Sequence, residues 1–311
     1  MKNTGWRVGI GAALLSCCCA IAAAQQTPAK EPAHSGLPLS PDELAPPIEQ
    51  SGEAQLHDEL RRNPGSADLY YRLALLERLQ NKPKDSLQTY TQAASLRKPN
   101  ADELRSVALD YVLLGDFEDA IHWLNVALAM DSSNVDVLYS LGRCLYTQNR
   151  FAEADAAFTR VLQIAPRHLK AEENLGLTYD AENQPEKAEQ ALRKAVAWSQ
   201  EDSAQSPWPF LDLGVFLLDQ SRAQEALPFL QKAVALDRGS AVCHEKLGRA
   251  LAATGNPNAG AQELEVAVKL DPNNPKTHFE LGRAYRESGE TEKARAEFAA
   301  SKLLYGAHNQ N

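Results

Sequence analysis

The sequence contains none of the residue clusters on which familiar kinds of catalysis depend. It has no CxxC pair, no phosphate-binding glycine loop, no two histidines four residues apart and no serine in a nucleophile elbow. The seven histidines are scattered along the chain. We therefore expect no catalytic residues, no metal site and no cofactor, and a protein that is not an enzyme.

Basic and aromatic residues are also scarce. Lys and Arg number 32 against 41 Asp and Glu, so the formal net charge is −9. Because nucleic acid is bound through an excess of Lys and Arg, this balance argues against nucleic acid as a ligand. Aromatic residues make up 7% of the chain, and alanine and leucine recur throughout, which is typical of packed helices.

Only one long hydrophobic run occurs; it follows Lys2 and Arg7 and ends at Ala24. A positive start, an apolar run and small residues at its end predict a signal peptide over residues 1–24. We expect an exported protein, periplasmic or extracellular, with no membrane span in the mature chain. Two alternatives stay open: acylation at Cys17, as in a bacterial lipoprotein, and retention of the run as an anchor helix.

The segment after the signal peptide is rich in proline and polar residues. Such a segment buries too little apolar surface to offset its ordering entropy, so residues 25–52 are predicted to be a disordered linker. Residues 53–66 then form one short helix, with Pro64 where it stops.

From residue 67 onward the sequence repeats itself at a fixed period. The spacing between anchor residues is 34 in every case but one, where it is 38. The seven anchors are Leu73, Val107, Leu141, Leu175, Leu213, Leu247 and Leu281. A small residue follows each anchor directly, another lies thirteen residues past it, and a bulky apolar residue comes four later. Small residues at these positions predict two helices that cross closely, with the bulky residues filling the space beside them.

Turn residues divide each repeat into two helices. A residue that tolerates the left-handed conformation separates them in six repeats, and serine does so in the fifth. These positions are Asn81, Gly115, Asn149, Asn183, Ser221, Gly255 and Gly289. Good helix N-caps precede six of the seven repeats, and two of them, Ser206 and Asn274, come before a proline at the first helical position.

This pattern resembles the tetratricopeptide repeat (TPR) family, here in a secreted bacterial member. The resemblance implies an all-α fold: a right-handed α-solenoid of seven 34-residue helix–turn–helix repeats, preceded by the half-repeat helix at 53–66. The predicted repeats span 67–100, 101–134, 135–168, 169–206, 207–240, 241–274 and 275–308, with 309–311 as a tail.

In TPR proteins, ligands usually lie in a concave groove lined by the first helix of each repeat. Carrying these positions over predicts a partner-binding groove that is largely apolar and aromatic. Its residues are Tyr71, Leu75, Leu109, Val112, Tyr139, Arg143, Tyr146, Leu177, Leu211, Val215 and Leu218. Such a surface fits an extended or helical apolar segment of another protein. The alternative is that part of this set packs against neighbouring repeats.

Cations cluster toward the C-terminal end of this acidic chain. Arg249, Lys276, Arg283 and Arg286 form a candidate carboxylate-binding site, and the alternative is a solvated face paired with nearby glutamates. The last helix ends in Leu303, Leu304 and Tyr305 with no capping helix after it. This end is therefore a candidate homodimer contact, or a small tolerated apolar patch.

The sequence thus predicts a scaffold or adaptor that binds other proteins or peptides in the periplasm or envelope. The alternative is a carbohydrate- or peptidoglycan-binding module. In that reading Tyr71, Tyr139, Tyr146 and Trp208 stack on sugar rings.

Overall fold

A computed structural model describes residues 50–202 and 205–308. Within these ranges the chain forms fifteen α-helices and no strand. The predicted signal peptide, nearly all of the predicted linker and the tail at 309–311 lie outside the described residues. Over the part that is described, every helix is too short or too polar to cross a bilayer.

The described residues fall into two compact units. Unit 1 covers 50–149 and contains six helices. They are α1 (Gln50–Arg62), α2 (Ala67–Leu79), α3 (Pro83–Leu96), α4 (Ala101–Leu113), α5 (Phe117–Met130) and α6 (Val135–Thr147). The first helix packs on α2, α2 packs on α3, and α4 packs on α5. Contacts of α2 with α4 and of α4 with α6 line up the first helices of successive repeats.

Unit 2 begins at residue 150 and contains the other nine helices of the described chain. They are α7 (Phe151–Ile164), α8 (Leu169–Ala181), α9 (Pro185–Glu201), α10 (Trp208–Asp219), α11 (Ala223–Leu236), α12 (Ala241–Ala253), α13 (Pro257–Leu270), α14 (Pro275–Glu287) and α15 (Thr291–His308). Here too, the first helices α8, α10, α12 and α14 pack in succession on one another, and each packs on the helix that follows it in the chain. The fold class is an all-α repeat solenoid, as the sequence predicts.

The turn inside each repeat depends on one left-handed residue. All seven residues predicted to separate the paired helices have positive φ, from 58° at Asn149 to 84° at Gly255 and Gly289. Ser221 adopts this conformation as well, with φ of 60°. Since each turn closes in the same conformation, the second helix of a repeat folds back onto the first within each unit.

Side-chain caps start most of the first helices. Asn100 and Glu103 form a reciprocal capping box at α4, and His168 caps α8 through a ring nitrogen that accepts the Ala171 N–H at 3.1 Å. The predicted start of the first helix in the fifth repeat is wrong by one residue. The sequence predicts Pro207 at the first helical position, but α10 begins at Trp208. Ser206 cannot form a full N-cap, because such a cap accepts the backbone N–H three residues later. That residue is Pro209, which has no N–H.

The small residues of unit 2 lie where paired helices cross. A Cβ added to Gly176, Gly214 or Gly282 would come within 2.8 Å of the bulky side chain sixteen residues later. Gly248 and Gly260 approach each other through backbone atoms, since a Cβ on Gly260 would be 2.7 Å from the Gly248 carbonyl oxygen. The repeat therefore requires small residues for steric reasons, as the spacing predicts.

The first described helix starts earlier than its predicted boundary. Helix α1 begins at Gln50, within the last residues of the segment assigned to the linker. Leu56 and Leu60 are buried against Leu73 and Leu76 of α2. This apolar contact gives α1 the packing that an isolated helix of its length lacks.

Candidate functional site

The predicted groove residues of unit 1 are mostly covered by their neighbours. Tyr71, Leu109, Val112 and Tyr139 are buried, and Arg143 and Tyr146 are half-buried. Leu75 is the most exposed member of this set, with 37% of its surface exposed. Most of these residues therefore lie beneath the surface formed by α2, α4 and α6, and we call this layer the floor.

A pocket opens on this floor between α2 and α4. Its volume is about 300 Å³. The residues that line it are Asp68, Tyr71, Arg72, Leu75, Tyr90, Asn100, Asp102, Glu103 and Ser106. We call it the α2–α4 pocket. Two of its residues, Tyr71 and Leu75, belong to the predicted groove, and the other seven do not.

Two tyrosines hold the base of the α2–α4 pocket in place. The rings of Tyr71 and Tyr90 lie 5.8 Å apart between centroids, and the Tyr71 hydroxyl donates to the Arg97 carbonyl oxygen at 2.8 Å. The Arg97 guanidinium covers the Tyr71 ring at 4.6 Å from its centroid. Burial raises the pKa of Tyr71 to about 12, so the phenol stays neutral and keeps its role as a donor.

The rim of the α2–α4 pocket is acidic. Arg97 bridges two of its carboxylates, at 2.9 Å from Asp68 and 2.6 Å from Glu103. Asp102 accepts a hydrogen bond from the Asn134 side-chain amide at 2.9 Å and forms no ion pair with another described residue. A side chain that combines an apolar stem with a cation therefore fits the pocket best.

Reasoning from the sequence missed the acidic rim, although the signal was present. Asp68, Asp102 and Asp136 occupy the second position of three successive repeats. A recurrence at the repeat spacing places these carboxylates on equivalent edges of α2, α4 and α6. The contribution of Tyr90 was harder to anticipate, because it comes from the second helix of its repeat.

One buried carboxyl of unit 1 has an unusual protonation equilibrium. Asp110 is fully buried on α4 and lies 2.7 Å from the Ser86 hydroxyl, which also contacts the Ala74 carbonyl oxygen at 2.8 Å. Burial raises the pKa of Asp110 to about 7, against the opposing charge of Arg78. A pKa near neutrality suits a general base, but this side chain lies outside the lining of the pocket. We assign it to the packing of α2, α3 and α4.

The predicted groove residues of unit 2 show a similar pattern of burial. Leu177 and Leu211 are buried, while Val215 and Leu218 are half-buried. No cluster of three His, Cys, Asp or Glu side chains suited to a metal ion occurs in the parts of the chain that the structure describes.

Two of the four predicted carboxylate-binding residues face a carboxylate of their own chain. Glu280 lies between two of them, 3.9 Å from Arg249 and 3.2 Å from Arg283. Arg286 instead lies over an aromatic ring of α15, and Lys276 is exposed. The four cations therefore do not converge on one open site.

Comparison with known proteins decides the family. Models of the tetratricopeptide repeat match residues 108–168, 173–202 and 263–296. These matches lie in both units. The chain is a tetratricopeptide repeat protein. Proteins of this family are generally non-catalytic adaptors, and the TPR fold supports a scaffold for protein–protein interaction.

Solved structures share the fold of this TPR protein. A TPR protein from Parabacteroides merdae has a TM-score of 0.61 with 18% identity, and the match covers 78% of this chain and 93% of that one. Pseudomonas aeruginosa pilF has a TM-score of 0.59 with 20% identity, covering 66% and 92%. The APC/C hetero-tetramer Cut9–Hcn1 has a TM-score of 0.65 with 16% identity, covering 78% and 48%.

Sequence relatives of this TPR protein include the BBSome complex member BBS4. The Bos taurus protein is 27% identical over 152 residues, which is 49% of this chain and 29% of the relative. The Xenopus tropicalis protein is 26% identical over 123 residues, which is 39% and 24%. The chain thus spans less than a third of the length of the curated relatives it matches.

Proposed function

We propose that this TPR protein is an exported, non-catalytic scaffold that holds a segment of a partner protein against the face of α2 and α4. The α2–α4 pocket carries this proposal, since it combines an apolar base with an acidic rim. Export is supported by the basic, apolar and small-residue pattern of residues 1–24.

The chemistry of the α2–α4 pocket indicates which kind of partner segment it fits. Leu75 offers apolar surface at the mouth, and Asp102 faces outward with no cation among the described residues paired to it. A partner segment that places a lysine or arginine beside an apolar residue satisfies both groups. Sugar stacking has weaker support, because the Tyr71 ring is buried and Arg97 covers its face.

The test of this proposal uses Leu75→Glu. Mature protein would be used to capture partners from envelope extracts, and each captured protein would be titrated again in purified form. Leu114→Glu is the matched control, because Leu114 is 39% exposed against 37% for Leu75 and directly follows the C-terminal end of α4, whereas the pocket lies at the N-terminal end. We expect partners to be retained by the wild type and the control and lost with Leu75→Glu.

Two results would contradict the proposal that the α2–α4 pocket holds a partner protein. One is an identical set of partners for all three proteins. The other is saturable binding of soluble peptidoglycan fragments that Leu75→Glu abolishes, which would favour the carbohydrate-binding alternative. N-terminal sequencing of the exported protein tests localisation separately, with Gln25 expected as the first residue and acylated Cys17 as the mark of a lipoprotein.

A further inference from the structure

The last repeat of unit 2 exposes a position that earlier repeats cover. The fifth residue of the repeat is buried in α8, α10 and α12, where it is Glu173, Leu211 and Glu245. The next first helix accounts for part of this burial, since Glu245 accepts a hydrogen bond from Thr277 of α14 at 3.2 Å. In α14 the same position holds Phe279, and 47% of its surface is exposed.

Phe279 belongs to an aromatic pair. Its ring centroid lies 5.5 Å from that of Phe298 on α15, with the two planes inclined at 55°. Gly282 gives Phe298 the room it needs, because a Cβ there would come within 2.8 Å of the ring. The guanidinium of Arg286 lies 5.8 Å from the centroid of Phe298. One helix pair thus presents two rings and a cation together.

Further cations flank this pair at positions that are apolar one repeat earlier. In the preceding repeat, the position of Arg295 is occupied by Ala261 and the position of Lys302 by Val268. Ala261 is buried and Val268 packs against the core that α13 shares with α14. Arg295 and Lys302 are both exposed. Lys302 in particular does not suit a surface to be buried under another repeat of the same kind, because its position is apolar in all six earlier repeats.

These residues form one continuous surface. On α15, Arg295, Phe298 and Lys302 are separated by three and four residues, which places them on one stripe of the helix. On α14 the same kind of spacing relates Phe279, Arg283 and Arg286. We call this surface the terminal patch, and its residues are Phe279, Arg283, Arg286, Arg295, Phe298 and Lys302.

Half of the charge on the terminal patch is not neutralised by the chain. Arg283 pairs with Glu280 at 3.2 Å, and Arg295 pairs with Glu292 at 2.8 Å. Arg286 and Lys302 form no ion pair with any other described residue. Two open cations beside a pair of aromatic rings are unusual in a chain whose net charge is −9.

We propose that the terminal patch binds an acidic peptide segment of a partner protein. An apolar or aromatic side chain of the segment lies against Phe279 and Phe298, and its carboxylates face Arg286 and Lys302. A second copy of this chain is a poor occupant, because a two-fold contact would place these cations against their own counterparts.

The experiment selects ligands without assuming a partner. A phage-displayed library of random peptides is selected against the full chain, and the consensus peptide is synthesised with a fluorophore. We expect the consensus to combine Asp or Glu with an aromatic or large aliphatic residue. Its affinity, measured by fluorescence anisotropy, should fall about tenfold with Phe279→Ala and about tenfold with Arg286→Glu, and should weaken at high salt.

Matched variants separate this surface from the others. Lys269→Glu makes the same charge change at an exposed residue of α13 and should leave the affinity unchanged. Leu75→Glu should leave it unchanged as well, so failure of this proposal is distinguishable from failure of the α2–α4 pocket. Phe279 and Arg286 are both exposed, and circular dichroism is expected to show an unchanged helical content for both variants.

Several results would overturn the proposal. They are a selection that yields no binding peptide, a consensus without acidic residues, and an affinity that survives both Phe279→Ala and Arg286→Glu. Mass photometry that shows a dimer lost with Phe279→Ala would assign the patch to a second copy. Competition by a peptide of residues 37–49, which contains Asp42, Glu43 and Glu49 among apolar residues, would assign it to the chain itself.

Discussion

At the residue scale, Gly248 and Gly260 mark a point where two helices approach each other through backbone atoms. Gly248 lies on α12 and Gly260 on α13. A Cβ on Gly260 would be 2.7 Å from a backbone oxygen and 3.0 Å from a backbone nitrogen. Backbone atoms cannot move aside as a leucine side chain can. The two helices must therefore separate to admit even one methyl group.

We expect Gly260→Ala to lower the free energy of unfolding by about 1–3 kcal/mol, the usual cost of overpacking. Urea denaturation followed by circular dichroism measures this change. Gly65→Ala is the control, since a Cβ at Gly65 meets no atom within 4 Å. Equal free energies of unfolding for the two variants would show that the α12–α13 crossing can accommodate an added methyl group.

Asp110 is the residue whose charge state should couple stability to pH. An unfolded aspartate titrates near pH 4. The pKa of Asp110 in the folded chain is about 7, because the carboxyl is fully buried. Between about pH 4 and pH 7, the Asp110 carboxyl is therefore protonated in the folded chain and ionised in the unfolded chain. This contribution to stability is complete below about pH 4 and disappears as the pH rises through about 7.

We expect Asp110→Asn to stabilise the chain at pH 8 by on the order of 1–3 kcal/mol and to flatten the pH dependence between 5 and 8. Asparagine keeps a hydrogen-bonding group beside Ser86 without a buried charge. Thermal unfolding across this pH range is the measurement. Asp85→Asn, at an exposed position of α3, should retain the wild-type slope. A slope unchanged in Asp110→Asn would mean that Asp110 is ionised at neutral pH.

At the element scale, the last two helix pairs share a link that the other five lack. His244 contacts Glu263 at 2.7 Å and the Arg238 carbonyl oxygen at 3.2 Å. The same three groups recur one repeat later, where His278 contacts Glu297 at 2.6 Å and a backbone oxygen at 3.0 Å. At the position of these histidines, earlier repeats place Tyr70, Leu104, Leu138, Glu172 and Phe210. Both histidines are buried, so each pair ties a first helix to its second helix through polar groups.

We expect Glu297→Ala to destabilise the α14–α15 pair by about 1–3 kcal/mol, because it leaves a buried ring nitrogen without a partner. Glu292→Ala removes an equivalent side chain whose surface is 85% exposed, and should cost less than about 0.5 kcal/mol. Chemical denaturation of both variants gives the comparison. Indistinguishable midpoints would show that the buried ring finds another partner or water.

At the scale of the whole molecule, a repeat array should respond locally to a local defect. Within each unit, helices contact their immediate neighbours along the chain, and stability in such arrays is a sum of nearest-neighbour contributions. The turn and crossing residues that close each pair belong to that pair alone. A change in α13 therefore acts first on α12, α13 and α14.

We expect Gly260→Ala to reduce amide hydrogen-exchange protection in α12 to α14 and to leave α2 to α5 of unit 1 unchanged. Hydrogen-exchange mass spectrometry resolves these helices by peptide. The unsubstituted chain under the same conditions is the reference. Loss of protection spread evenly over α2 to α15 would indicate that the described chain unfolds as one cooperative body.

The sequence alone determined the fold, because its signals are local and repeated. A left-handed residue closes each pair, a small residue sits at each crossing, and both recur once in every repeat, so seven weak signals reinforce one another. The same frame also contained the His–Glu link and the row of Asp68, Asp102 and Asp136, although neither was recognised. The predicted site residues are still without a direct test.

Only the tertiary structure decided which side chains of that frame reach solvent. Tyr71, Leu109 and Tyr139 are apolar or aromatic at groove positions, yet packing from neighbouring helices buries all three. Tyr90 and Glu103 join the α2–α4 pocket because α2, α3 and α4 converge there. Phe279 is exposed for the opposite reason, since the described chain places no later first helix over it. The periodic pattern specifies a side chain's position on its helix, but burial depends on what the next helix covers.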